Sequence, residues 1–231
     1  MRRKILFLLF TVLFFNASAF AANVGGKIKF SGTAPSNPKI DMGADPFCAG
    51  RHAGPVFTDQ TVVSGEGGLK NVFIYVKKGV EGKTFPAPQG PVTLDQNGCL
   101  YEPRVFGVRV GQAVQILNSD STLHNVHGQP QTAKPFNLGM PIKGMKLDRK
   151  FDKPEVMVPF KCDVHPWMRA YAGVLTHPYF AVSGADGAFE IKDLPPGKYT
   201  LEAWHEKLGV QAQEITVDET GTPAVEFTFA A

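Results

Sequence analysis

The chain has little of what marks a helical, a nucleic-acid-binding or a membrane-spanning protein. Over its 231 residues, helical periodicity is hard to find after residue 22, and Lys and Arg form no cluster interleaved with aromatic residues. No run after the first twenty residues is long and apolar enough to cross a bilayer. These absences exclude a helical bundle and argue against both a nucleic-acid partner and a membrane span.

The N-terminus has the pattern of a secretory signal. Three basic residues after Met1 precede an apolar run over residues 5–15, and Phe20 then stands between two alanines, as in an A-x-A cleavage site. We therefore predict a signal peptide over 1–21 and a mature, exported chain that starts at Ala22, in a compartment such as the periplasm. Its removal takes three of the 24 basic residues and leaves a formally neutral chain with 21 acidic ones.

What the mature chain does contain is a succession of short β-type runs bounded by Gly, Pro, Asn and Asp. Many short strands with turns between them predict an all-β sandwich or barrel. The predicted strands lie at 26–30, 71–77, 105–110, 113–117, 155–162, 168–175, 189–192, 198–204, 213–217 and 224–229.

One short loop carries three soft or borderline metal donors. Cys162, His165 and Met168 lie within seven residues, and His124 lies upstream after an Asn/Asp/Ser turn. Two imidazoles, one thiolate and a weak axial thioether are the ligands of a trigonal copper site. The alternatives are a buried thiol beside a hydrogen-bonded histidine, and zinc, for which a thioether is a poor fourth ligand.

The segment 111–126, together with Cys162-x-x-His165-x-x-Met168, resembles the cupredoxins, and the short gap before the Met is closest to the amicyanin-like members. The resemblance covers about residues 90–178. It implies a Greek-key β-sandwich with one type 1 copper site, in which His124, Cys162 and His165 are equatorial ligands and Met168 is axial. It also implies that Asn125 steadies the ligand loop by hydrogen bonding.

The residues around the ligands support the same site independently. Pro166 biases His165 towards extended backbone angles, which prepositions its ring. Alternation along the strand that leads to the thiol predicts one apolar, sheltering face. That face comprises Val156, Val158, Phe160 and Cys162.

Several neighbouring residues have two interpretations. His127 is either a fifth ligand or, as we favour, a loop histidine, since the site is already complete. Met140 and Met145 either collect copper or fill gaps in the core. Trp167 is either an exposed contact for a redox partner or a plug over the ligand loop.

The C-terminal region has a separate pattern. Asp186-Gly187 predicts a turn, and Pro196-Gly197 predicts a type II turn with a positive φ at the glycine. The stretch from Gly184 to Leu201 resembles the carboxypeptidase regulatory-like, transthyretin-like β-sandwich, a packing and recognition module. We predict N-terminal strands over 22–83, a copper-binding domain over 84–178 and this second sandwich over 179–231. We favour insertion of the copper domain into a sandwich built from both ends of the chain, with consecutive domains as the alternative.

Three cysteines are an odd number for an exported chain, so one is unpaired or binds metal. If Cys162 is the metal ligand, Cys48 and Cys99 remain as a candidate disulfide. The alternative is that both are buried free thiols.

The catalytic motifs that would indicate an enzyme do not occur near the ligands. The sequence there has no Ser-His-Asp set, phosphate loop or paired carboxylates, and a single copper ligand set excludes a multicopper oxidase. We therefore expect a protein without enzymatic activity that carries single electrons between redox partner proteins. Storage or delivery of copper, and a structural envelope role with incidental copper, are the alternatives.

Overall fold

The computed structural model describes residues 21–218 and 224–231, which are almost entirely β-structure. The all-β prediction is confirmed. The predicted signal peptide, apart from Ala21, lies outside the described residues. Within them, no helix is long and apolar enough to cross a membrane.

The described elements follow one another as strands interrupted by one short helix, α1 (Pro46–Gly50). The strands are β1 (Ala22–Ser31), β2 (Phe73–Lys78), β3 (Val92–Asn97), β4 (Leu100–Glu102), β5 (Val105–Arg109), β6 (Ala113–Asn118), β7 (His124–Gly128), β8 (Phe136–Met140), β9 (Lys146–Lys150), β10 (Glu155–Lys161), β11 (Arg169–Leu175), β12 (Phe180–Val182), β13 (Ala188–Leu194), β14 (Gly197–His205), β15 (Gly209–Val217) and β16 (Val225–Ala230).

The strands form four sheets, which make two sandwiches. Strands β3 to β11 form a five-stranded sheet in the order β5-β11-β10-β7-β8 and a four-stranded sheet in the order β4-β3-β6-β9. The other strands form the sheets β13-β1-β16 and β12-β2-β14-β15, so strands from both ends of the chain pair with each other. This pairing agrees with the insertion arrangement, while the boundaries at 84 and 178 remain predictions.

Each sandwich has its own apolar core, and the burial of the strands follows from their position. Strand β16 alternates buried and exposed residues because one face packs on the core and the other meets water. In β2, four consecutive residues are buried because both faces are covered. Ile74 and Val76 enter the core of the sandwich that contains the chain ends, whereas Phe73 and Tyr75 pack between the two sandwiches.

An ion-pair network also joins the two sandwiches. Arg104, just before β5, is buried, and its guanidinium donates to both carboxylate oxygens of Glu206, at 2.6 and 2.9 Å, and to Asp59 at 2.6 Å. A planar guanidinium suits such a two-point contact. The sandwich of β3 to β11, which we call the copper-ligand sandwich because it carries the predicted ligands, is therefore fixed to the loop that follows β14.

Two local predictions are wrong. Val156 is 37% exposed, unlike Val158 and Phe160, because the pairing of β10 with β11 shifts register between residues 155 and 158 and turns Val156 to the other side. Gly197 lies outside the left-handed region and begins β14. Gly197 lies close to the hydroxyl of Tyr199, and a Cβ added at residue 197 would be 3.0 Å from that oxygen.

The predicted turn at Asp186-Gly187 is confirmed, with a φ of 82° at Gly187.

His205, at the end of β14, makes stability depend on pH. Burial lowers the pKa of this imidazole to about 4, against the opposing effect of Glu206. Between that value and its ordinary pKa the unfolded chain binds more protons than the folded one, so stability falls as the pH falls through this window.

We expect His205→Asn, which keeps an acceptor for the amides of Lys207 and Leu208, to reduce this dependence. Between about pH 7 and pH 5 the free energy of unfolding of the wild type should fall further than that of the variant, by on the order of 1–2 kcal/mol. Urea titrations of the metal-free protein at a series of pH values measure the difference. Equal losses would show that His205 does not titrate as its burial implies.

Candidate metal centre

Three of the four predicted ligands meet at one end of the copper-ligand sandwich. His124 is the first residue of β7, Cys162 follows β10 directly, and His165 lies in the loop before β11. The Nδ1 atoms of the two histidines are 2.9 Å apart, and Cys162 Sγ lies 3.9 Å from Nδ1 of His165. All three donor atoms lie within 4.8 Å of one another, and all three residues are buried.

Asn125 ties the strand that carries His124 to the loop that carries the other two ligands. Its side-chain oxygen accepts from the backbone N–H of Asp163 at 2.7 Å and of Val164 at 3.3 Å, and it lies 3.2 Å from Cys162 Sγ. The expected loop-steadying hydrogen bonds of Asn125 are therefore present. The backbone N–H of His165 also donates to Cys162 Sγ at 3.3 Å.

Met168 closes the same loop. Its backbone N–H donates to the carbonyl of His165 at 2.9 Å, and its carbonyl accepts from the N–H of Cys162 at 3.2 Å. Its side chain is fully buried in the apolar cluster that contains Cys162. The loop thus buries the Met168 side chain in the same core as Cys162.

Each imidazole has a carboxylate partner on the nitrogen that faces away from the thiol. His124 Nε2 lies 3.0 Å from Asp120, and His165 Nε2 lies 3.0 Å from Asp45. A carboxylate only accepts, so each Nε2 carries the proton and each Nδ1 is left as a donor for a metal. Sequence reasoning missed both carboxylates.

Asp120 is itself held by the backbone. Its two oxygens accept from the N–H groups of Gly98 and Cys99, at 2.9 and 2.7 Å, and the residue is fully buried. Burial opposes ionisation of this carboxylate, but the hydrogen bond with His124 and these two N–H groups outweigh it and keep its pKa below the ordinary value.

The protonation of the ligands suits metal binding. Burial alone would raise the pKa of Cys162, but hydrogen bonds with His124 and with backbone amides outweigh it and lower the pKa. Burial likewise opposes ionisation of His124, yet its hydrogen bonds with Asp120 and Cys162 raise its pKa to about 8. Both shifts favour the charged forms, and metal binding requires the Cys162 thiol and the His124 Nδ1 to be deprotonated.

An N-terminal segment covers the site. We call residues 38–58 the cover: its two ends are joined by backbone hydrogen bonds between Ile40 and Val56 and between Thr58 and Pro38. The cover contains α1, which carries Cys48, and a disulfide joins Cys48 to Cys99 in the turn between β3 and β4. The disulfide prediction is confirmed in the structure.

Trp167 is a plug. Its ring centroid lies 5.1 Å from that of His165, and its Nε1 donates to the carbonyl of Cys99 at 2.9 Å. It packs against both the copper-ligand core and the cluster around the disulfide. The half-buried indole thus joins the ligand loop to the cover.

The remaining candidates make other contacts, although Met140 pairs with His124 across β7 and β8. His127 lies on β7, not in a loop, and its Nδ1 pairs with Asp163 at 3.0 Å. Met140 is fully buried in the core at the end of β8, and Met145 packs against the same core, so both fill space.

Comparisons with known proteins give partial likenesses. A family model described as polysaccharide lyase family 4, domain II, matches residues 161–225, less than half of the chain. No curated protein matches the chain. The transthyretin-like resemblance of the second sandwich stays a prediction.

Solved structures similar to this chain include copper proteins. A Cu-containing nitrite reductase from Thermus scotoductus SA-01 shares 24% identity at a TM-score of 0.34, over 42% of this chain and only 24% of its own. A methionine-to-glutamine variant of amicyanin in the Cu(I) form shares 24% identity at a TM-score of 0.33, over 38% of this chain and 84% of its own. A purple cupredoxin from Nitrosopumilus maritimus shares 21% identity at a TM-score of 0.31, over 37% of this chain and 99% of its own. Likeness at these scores carries no argument, so the assignment of the site depends on its side chains.

We expect the double variant Cys48→Ala/Cys99→Ala to be less stable than the wild type, by up to about 4 kcal/mol on chain-entropy grounds. The bond closes a long loop between residues 51 apart, which restricts the unfolded chain. Urea unfolding of the oxidised proteins measures the loss. Non-reducing peptide mapping supplies the control, because separately alkylated Cys48 and Cys99 in the wild type would contradict the disulfide.

Proposed function

We propose that this chain is an exported blue copper protein, without enzymatic activity, that carries single electrons between redox partner proteins in the periplasm. The observation that supports this most is the convergence of Cys162 Sγ with the Nδ1 atoms of His124 and His165 in a buried site. Thiolate and imidazole donors together favour copper or zinc over magnesium and calcium, and a thioether from Met168, which is buried in the same core as Cys162, would favour copper.

In this proposal His124, Cys162 and His165 would hold the metal, and Met168 would add a weaker thioether donor. Copper bound there supplies a one-electron Cu(I)/Cu(II) couple. The chain supplies the frame: Asn125 fixes the ligand loop, and Asp120 and Asp45 orient the two rings. Side chains held in this way need little movement when the charge of the site changes.

Burial of the donors supports electron transfer over catalysis or delivery. Cys162 and His165 are 1% and 2% exposed, so a substrate or an acceptor protein cannot contact the donor atoms without displacing the cover or the plug. Electrons, unlike ligands, pass through a packed shell. Exclusion of water also protects the thiolate from further oxidation.

We expect Cys162→Ser to abolish the strong visible thiolate-to-copper absorption of the copper-loaded protein, because no other thiol lies at the site. The matched control is Cys48→Ala/Cys99→Ala, which removes the other two cysteines and should keep the band. Absorption spectra at measured copper content decide the matter. A band that survives in Cys162→Ser would refute the assignment.

We expect Met168→Leu to retain coloured copper and to raise the reduction potential, because an apolar axial position favours Cu(I). The control is Met157→Leu, the same change at a buried methionine between the two sandwiches. Spectroelectrochemical titration gives the potentials. Loss of copper from a folded Met168→Leu protein would mean that Met168 is a firm ligand.

A further inference from the structure

The edge of His165 that faces away from the thiol is closed by the cover. His165 Nε2 lies 3.0 Å from Asp45 Oδ2 and 3.6 Å from Cys48 Sγ, and the ring lies next to Trp167. The cover, the disulfide and the plug therefore contact the same imidazole. Only 2% of His165 remains exposed.

The two oxygens of the Asp45 carboxylate have different partners, one in the cover and one at the site. Its Oδ1 caps α1 by accepting from the N–H groups of Phe47 and Cys48, at 2.8 and 3.3 Å. Its Oδ2 accepts from His165 Nε2 and from the hydroxyl of Thr122, both at 3.0 Å. The same group therefore starts the helix that carries Cys48 and orients the ring of His165.

A carboxylate on the outer nitrogen of a ligand histidine has two physical effects. It fixes the tautomer and the ring orientation, and it makes the ligand more basic. Its negative charge, in a buried site, also stabilises the more positive oxidation state of the metal. Both effects at His165 come from a residue 120 positions earlier in the chain.

We propose that Asp45 is a positioning residue of the metal centre, and that the cover shields the His165 edge from solvent and from direct contact with partners. This inference rests on the proposed function, because it assigns Asp45 a part in the same copper site. The Cys48–Cys99 disulfide and the hydrogen bond from Trp167 to Cys99 hold the cover in place.

The first test uses Asp45→Asn, which keeps a helix-capping oxygen and nearly the same size but removes the charge. The reduction potential of the copper-loaded variant should rise relative to the wild type. Asp41→Asn is the matched control, because it removes an equal charge from an exposed position of the cover and should leave the potential close to that of the wild type. Equal potentials for the two variants, or a lower one for Asp45→Asn, would overturn the proposal.

The second test does not depend on copper chemistry. Asp45→Ser retains a capping oxygen but is too short to reach His165. In zinc-loaded protein labelled at the imidazole nitrogens, NMR should show a slowly exchanging Nε2–H on His165 in the wild type and in Asp41→Asn. That proton should exchange faster in Asp45→Ser, and the affinity for zinc should fall roughly 10- to 100-fold.

The two proposals fail in different ways. If zinc affinity and Nε2–H exchange are the same in Asp45→Ser as in Asp41→Asn, Asp45 positions nothing and this inference is wrong, whatever the copper site does. If those properties change as expected but the wild type gives no coloured copper, the electron-carrier proposal fails and the positioning role stands.

Discussion

The hydrogen bonds of Asn125 are the interaction on which the metal centre most depends. One side-chain oxygen accepts from two consecutive amides of the ligand loop and lies in hydrogen-bond contact with the thiol. Because Asn125 follows His124 on β7, these bonds fix the distance between a histidine on one strand and two ligands on a loop 37 or more residues later. Pairing of β7 with β10 covers just residues 127–128 and 160–161, which leaves His124 and the ligand loop outside the paired backbone.

Around this centre the protein uses charge more than apolar packing to set ligand orientation. Asp120 and Asp45 reach the two rings from different parts of the chain, yet they make the same contact with Nε2. Each carboxylate also accepts from two backbone amides, which offsets its burial. Each of the two imidazoles therefore has one carboxylate at its Nε2 atom. The partner of His124 belongs to the copper-ligand sandwich, and the partner of His165 belongs to the cover.

The sequence predicts the donor cluster well because three donors lie within one loop and because Asn125 follows His124 directly. Residues so close in sequence must also lie close together in space, whatever the fold of the rest of the chain. Asp45 escapes prediction because it reaches His165 from 120 positions away, although Asp45 before Pro46 has the pattern of a helix start. Asp120 lies only four residues before His124, and no motif marks its side chain as the partner of that ring. The strands that the sequence did not predict are β3, β4, β7, β8, β9 and β12. The KLDRK sequence of β9 contains too few apolar residues for alternation to show, and β4 and β12 have only three residues each. The register shift at Val156 has no local signal either.

The position of β1 between β13 and β16 constrains the order in which the protein can assemble. Residue 26 pairs with both residue 189 and residue 225, and the second of these pairings is parallel. Closing so long a stretch of chain is entropically costly, and non-local pairing of this kind is slow. During synthesis from the N-terminus, β1 is made long before β16, whereas β3 to β11 find all of their sheet partners among themselves. We therefore expect the sandwich that contains both chain ends to form last, after the sandwich of β3 to β11.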